Sequence, residues 1–328
     1  MTRTSPVPPL DLPALFPGLS AFAKTATRLH PRRGEPDRSD SHVGGLLLWP
    51  AEEPWPTCEE LHVVATETPV PPVPPLSTPS PELMAGLATM VPGFAGYTTT
   101  DAGSFLRGST VQVQPGPLVP VAQLRAGDIP DVRCPPGTDM LQVLWCPNTH
   151  GEHSGPAIEV RWRQERSVVN VLPAAPPVTA SEEHYLPRRC VVHPEQVVEF
   201  PDDEELPDDL GERVRAFEDS RQYGEESYSS VSRAPGWKVG GYPSWGVTGL
   251  IPMLCDGCHS PMDLLLTISS SEHRGAAWFP VEDAHVPESW GDPAWTVLTK
   301  PTGVTAGNED GLRIFVCTAC PEWPIRVR

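Results

Sequence analysis

Cys255-Asp256-Gly257-Cys258 and Cys317-Thr318-Ala319-Cys320 decide how the C-terminal half of the chain is read. Two residues between thiolates let one tight turn aim both sulfurs at a single tetrahedral ion, and two such turns complete a four-sulfur shell. Zinc suits that shell, because it takes soft ligands and needs no open coordination position when its role is structural. The alternatives are two disulfides or four buried thiols. The 58 residues between Cys258 and Cys317 are too many for a compact zinc ribbon. The four cysteines therefore read as a staple joining two distant turns of one domain. Closing a loop of about sixty residues is worth roughly 3–4 kcal/mol in chain entropy, and metal–thiolate bonds supply on the order of 10 kcal/mol or more.

The rest of the composition agrees with a β-rich scaffold. With 43 prolines and 27 glycines in 328 residues, a helical bundle is excluded and short strands joined by stiff loops are favoured. The fold class expected is mainly β (α+β), with a few peripheral helices. The net charge of −18, from 42 acidic against 24 basic residues, repels nucleic acid and anionic membrane and steers basic partners toward the surface. A basic protein is the partner expected, and neither direct nucleic-acid binding nor membrane association is. Solubility alone is the bland account of the same charge. Met1 to Phe16 lacks the cationic start and continuous apolar core of a signal peptide, and no window approaches the roughly eighteen apolar residues of a membrane span. A cytoplasmic location is expected, where the eight cysteines stay reduced.

Four segments follow. Residues 1–40 form an N-terminal tail with one helix over Asp11 to Arg28, carried by Leu15, Leu19, Phe22 and Ala23. Residues 41–172 form a first β-rich module, interrupted by a Pro-rich extended excursion at 68–81 and a short helix at 82–90. Residues 173–235 are a Pro-rich and acidic connection, with a helix on Leu210, Val214 and Phe217. Residues 236–328 are a second β-rich module with the four-cysteine site, read as strands and turns throughout, Trp278-Phe279 and Trp295–Leu298 included.

The two modules share an order of features. Val43-Gly44-Gly45 answers Val239-Gly240-Gly241, and Cys58 answers the Cys255 pair. Pro117-Leu118-Val119 answers Pro261-Met262 and its following strand, and Met140 to Cys146 answers Leu312 to Cys317. Duplication of one β-rich module explains this order. The first module lacks the second thiol of each pair but keeps Cys58-x-x-x-His62 and Cys146-x-x-x-His150, a Cys2His2 set of suitable number and type for a second zinc.

Val239-Gly240-Gly241-x-Pro243-x-Trp245, then Cys255-x-x-Cys258-x-x-Pro261-Met262, then Arg313-Ile314-Phe315-Val316-Cys317-x-x-Cys320, resembles the bacterial YwqG-like family. The pattern is also similar to the programmed cell death protein 2 group. The resemblance covers residues 236–321, with a weaker match at 43–58. It implies a duplicated β-rich fold, paired zinc cysteines and no established catalysis. Capture of a basic protein is what it suggests for function, in the manner of a chaperone, adaptor or immunity factor.

No catalytic constellation is complete in the sequence. Gly241-Tyr242-Pro243-Ser244-Trp245-Gly246 is one residue too long for a nucleophile elbow. Neither a phosphate-cradling Walker loop nor a dinucleotide fingerprint is present. A closed four-thiolate zinc leaves no position for activated water. A non-enzymatic zinc protein is therefore the expectation. The competing reading is a hydrolase with an unrecognised site, in the acidic 201–226 stretch or at a metal.

Overall fold

The computed structural model describes residues 2–60, 62–67, 109–114, 116–150, 155–178, 181–222, 224–245, 249–307 and 311–328, with backbone alone at 62–67 and 109–114. The Pro-rich excursion at 68–81 and the helix expected at 82–90 lie outside these residues. In chain order the strands are β1 (Lys24–Arg28), β2 (Arg32–Arg33), β3 (His42–Val43), β4 (His62–Glu67) and β5 (Ser109–Gln114). There follow β6 (Val119–Arg125), β7 (Met140–Trp145), β8 (Ile158–Arg163), β9 (Cys190–Val191) and β10 (Glu195–Glu199). The last four are β11 (Lys238–Gly240), β12 (Asp263–Ile268), β13 (Leu312–Val316) and β14 (Ile325–Val327).

The chain divides into two compact units, Met1–Cys58 with Pro117–Arg328 and Glu59–Gly116. The smaller contains the antiparallel pair β4–β5, in register from His62↔Gln114 to Glu67↔Ser109. In the larger unit, the described strands form two six-stranded antiparallel sheets, ordered β10-β1-β11-β12-β13-β14 and β2-β9-β3-β6-β7-β8. The expected mainly β class is what the chain adopts.

Both sheets contribute to one core. Val43, Leu124, Leu141 and Trp145 enter it from one sheet, and Val239, Leu266 and Ile314 from the other. β7, Met-Leu-Gln-Val-Leu-Trp, is buried at every position because both its faces are covered: Leu141, Val143 and Trp145 enter the main core, and Leu144 packs in a second cluster with Leu47 and Trp49. Such a strand reads as a continuous apolar run, unlike a half-exposed one. β8 shows the contrasting alternation: Ile158, Val160 and Trp162 pack on the core, while Arg163 reaches outward to Glu53 at 2.7 Å.

The order β3-β6-β7-β8 in one sheet parallels β11-β12-β13-β14 in the other. Each series carries a register shift at the same place, between Pro120 and Ala122 in β6 and between Leu264 and Leu266 in β12. An isolated bridge precedes each bulged strand, Thr57↔Pro117 in one case and Leu254↔Pro261 in the other.

Local chemistry departs from the expected elements in three places. The helix expected over 11–28 is confined to α1 (Leu12–Leu15), capped by the Asp11 carboxylate on the Ala14 N–H. Pro17 and Gly18, the latter at φ +99°, break it, a single 3-10 turn follows at Leu19–Phe22, and the threonines of Lys24–Arg28 favour strand. Trp278 closes a 3-10 turn, Ala276–Trp278. Finally, the strand expected at Trp295–Leu298 is the helix α4 described below. The helix expected near Leu210 does form, as α2 (Asp208–Asp219), with Leu210 and Val214 buried. The short helix α3 (Tyr228–Val231) follows, capped by Ser227. α4 (Pro293–Thr299) begins with Asp292 as its cap and Pro293 in its first turn, the usual signature of a helix start. No helix among the described residues is long and apolar enough to cross a membrane.

His42, on β3, is fully buried. Its Nε2 lies 3.2 Å from the Leu46 carbonyl and its Nδ1 accepts from the Gly45 N–H at 3.2 Å, so the ring is held as one neutral tautomer. Burial, opposed by the Leu46 hydrogen bond and the nearby Asp40 charge, lowers its pKa to about 4. A folded pKa below the unfolded value contributes stability that is intact above about pH 6.5 and is lost as pH falls toward 4. The loss expected is about 3 kcal/mol per such histidine. His30 is lowered to about 4 as well, again chiefly by burial. Denaturation midpoints measured from pH 7 to pH 4 should fall, and His42→Gln should make that fall shallower by about one proton. An unchanged slope in the variant refutes the assignment.

Candidate metal centre

β12 and β13 are antiparallel neighbours, and Asp263 at the start of one pairs with Val316 at the end of the other. The two Cys-x-x-Cys turns therefore leave the same end of the same strand pair, however long the connection between them. The first turn is closed by the Leu254↔Pro261 bridge and by the His259 N–H donating to the Cys255 carbonyl at 2.9 Å. His259 takes a left-handed φ of +57° there and faces solvent. The second is closed by the Cys317 N–H on the Pro324 carbonyl at 3.0 Å and the Trp323 N–H on the Cys320 carbonyl at 3.2 Å. Arg326 of β14 ties the turns together, 3.3 Å from Asp256 and donating to the Leu254 carbonyl at 2.8 Å.

The four sulfurs lie within 4.8 Å of one another. Cys255 Sγ is 3.8 Å from Cys320 Sγ, and Cys258 Sγ is 3.5 Å from Cys317 Sγ. Zinc–sulfur bonds of about 2.3 Å arranged tetrahedrally give sulfur–sulfur edges of about 3.8 Å. A disulfide bond is about 2.05 Å, and all four are free thiols. The geometry is that of a metal cage. Its thiols respond to one another: hydrogen bonds with Ser260 hold Cys258 down to about 6, while those with Cys258 and Cys255 push Cys320 up to about 12. Beneath the cage Trp245, Met253, Met262, Leu264 and Phe315 form a small apolar cluster with Cys255 and Cys317. Trp245 and Phe315 stack at 6.0 Å. That cluster fixes the turns from below.

Of the second set read from sequence, the structure brings together Cys58, Cys146 and His150, whose ligand atoms also lie within 4.8 Å of one another. Cys58 Sγ is 3.6 Å from His150 Nε2, the separation of about 3.6 Å expected for sulfur and nitrogen on one tetrahedral zinc. His62 lies on β4, and its side chain falls outside the described residues. Burial pushes the Cys146 thiol up to about 11. The two cysteines outside both clusters behave as core thiols, Cys190 pushed up to about 12 and Cys134 to about 11, in each case by burial.

Part of the acidic stretch is engaged in caps and ion pairs. Asp202 and Glu205 form a capping box, Asp202 pairs with Arg233 at 3.0 Å and Asp203 with Arg215 at 3.0 Å. Asp208, Asp209 and Glu212 remain exposed on the outer face of α2. A polar row across β11, β12 and β13 escaped sequence reasoning altogether; its members lie too far apart in the chain for any local pattern.

A family described as a domain of unknown function (DUF1963) matches residues 41–285. The match spans Cys58, Cys146 and the first turn of the four-cysteine cage and ends before the second. No curated protein matches the chain.

Proposed function

The chain belongs to the DUF1963 family, and we propose on that footing that it is a zinc-stapled binding protein that captures a basic protein partner. The observation that carries this reading is the four-sulfur cage. Four thiolates saturate a tetrahedral zinc, so the ion holds two turns in place and activates no water. What remains for function is surface. The net charge of −18 steers a cationic partner inward, and Asp208, Asp209 and Glu212 of α2 are exposed to meet it. The two sheet series described above, matching in order, bulge and bridge, read as copies of one module spanning 41–172 and 236–328, the kinship with YwqG-like proteins included. A cytoplasmic location suits the reduced thiols.

The test is affinity capture from a cell lysate, followed by measurement with the recovered protein in purified form. The expected result is a basic protein whose affinity falls steeply between low and physiological salt. It should weaken several-fold against Asp208→Asn, Asp209→Asn and Glu212→Gln combined, since rim charges act mainly through association rate. Affinity indifferent to both salt and the triple substitution rejects the reading.

A second reading draws on Cys58, Cys146 and His150. Among the described residues these are three ligands, the number found at catalytic zinc sites, where a water completes the shell and attacks a carbonyl or phosphoryl centre. On this reading the chain is a metal-assisted hydrolase with its chemistry in the first module.

A further inference from the structure

Lys238, Thr267 and Arg313 stand directly opposite one another on β11, β12 and β13. Directly paired residues of antiparallel strands project from the same face, so these side chains form one transverse polar row. Counted from the matching bulges, the same positions of the other sheet hold His42, Gln123 and Gln142. There the row is sealed and internally satisfied. Gln142 Nε2 donates to Gln123 Oε1 at 2.9 Å, the Leu48 N–H donates to that same oxygen at 2.7 Å, and Gln123 Nε2 donates to the Arg38 carbonyl at 2.6 Å. In the sheet carrying the four-cysteine cage, the row instead floors a cavity of about 390 Å³, within the range usual for small-molecule sites.

The walls of this cavity have one sign. Every charged residue lining it is cationic, namely Arg233, Lys238, Arg274 and Arg313, in a chain whose net charge is −18. Hydroxyls stand between them, among them Ser230, Ser269, Ser271 and Thr267. Lys238 is already neutralised by Glu199 at 2.6 Å, and one arm of Arg233 by Asp202. The Arg233 side chain is nine-tenths buried, and its Nη1 has no hydrogen-bond partner. The Thr267 hydroxyl, buried on the floor, has none either. Arg274 is exposed at the edge, held by Ser244 Oγ at 3.0 Å. Buried donors without acceptors are unfavourable and rare in folded proteins, and here two of them line one cavity.

We infer that this cavity binds a small phosphomonoester, with the phosphate over Thr267 and between the guanidinium groups and the organic part along Trp278, which lines one wall. A tetrahedral oxyanion accepts from floor and walls together. Guanidinium pairs with phosphate oxygens through charge-assisted hydrogen bonds. The site is independent of the metal cage and of the acidic face.

The test uses the full chain and isothermal titration at constant ionic strength, with inorganic phosphate, ribose 5-phosphate and acetate as probes. Saturable one-site binding of both phosphates is expected, ribose 5-phosphate the tighter. Arg274→Gln removes a charge at the exposed edge, and Thr267→Val keeps the strand and removes only the hydroxyl. Each should weaken binding about tenfold, the scale of one charge-assisted hydrogen bond. Thermal unfolding of the unliganded variants establishes that they fold. Absence of saturable phosphate binding, or binding that neither variant weakens, overturns the proposal; acetate binding as tightly as phosphate overturns the assignment of ligand class.

Discussion

Replacing Cys255 and Cys317 by serine should strip the C-terminal cage of its ion and unfold the module around it. The effect is expected to be the largest any pair of substitutions produces in this chain, because metal–thiolate coordination contributes on the order of 10 kcal/mol where the ligands are brought together by folding. Both sulfurs are buried and belong to the cluster with Trp245, Met262 and Phe315, so the loss spreads into β12 and β13. Elemental analysis of purified protein should find two zinc ions per chain, falling to one in this double variant, with a loss of cooperative unfolding in the C-terminal half. Cys58→Ser with Cys146→Ser should remove the other ion and leave the first in place. Metal content that does not respond to the Cys255 and Cys317 change would exclude the cage as a zinc site. An enzymatic role for the second centre predicts hydrolysis of an activated ester, abolished by the Cys58 and Cys146 pair; its absence with two ions bound removes the hydrolase reading.

Glu199→Ala should lower stability by about 3–5 kcal/mol, the scale of uncovering one partner of a buried ion pair. Glu199 is fully buried on β10 and Lys238 nearly so on β11. Glu199 Oε1 accepts from Lys238 Nζ at 2.6 Å and from the Ala234 N–H at 2.8 Å, while its Oε2 accepts from the Tyr242 N–H at 2.8 Å. Desolvation pushes the Lys238 pKa down, and the Glu199 charge opposes it. The carboxylate fits only because Gly241, at φ +72°, has no Cβ; one placed there would meet Glu199 Oε2 at 2.2 Å. Glu199→Leu combined with Lys238→Met should recover part of the loss, since the apolar pair leaves no buried charge unmatched while the Ala234 and Tyr242 N–H groups lose their acceptor. Urea denaturation of the two single variants and the double reads the coupling directly. Additive losses would show that the two groups do not act as a pair.

How far the sequence was informative depends on what fixes each feature. The cage was legible because two residues between cysteines let one tight turn present both sulfurs to a single ion, and Cys255-x-x-Cys258 and Cys317-x-x-Cys320 carry that spacing twice. Cys58, Cys146 and His150 were legible as ligand types in Cys58-x-x-x-His62 and Cys146-x-x-x-His150. The helix extended over residues 11–28 was misread because Leu15, Leu19 and Phe22 have helical spacing whether or not Pro17 and Gly18 interrupt them. Trp295 to Leu298 read as strand because the run is apolar; Asp292 and Pro293, which start the helix, were the signal to weigh. The row of Lys238, Thr267 and Arg313 was invisible because only strand pairing brings together residues so far apart along the chain, and no spacing rule encodes register.

The bridge between Thr57 and Pro117 has a consequence for how far this chain can be shortened. Its counterpart, between Leu254 and Pro261, encloses a turn of six residues that carries two thiols. The polypeptide leaves the larger unit after Cys58 and re-enters it at Pro117, at points that this bridge holds together. Excising Glu59–Gly116 and splicing in Asp-Gly-Cys-His-Ser should therefore give a Cys-x-x-Cys turn of the same six-residue length between Thr57 and Pro117.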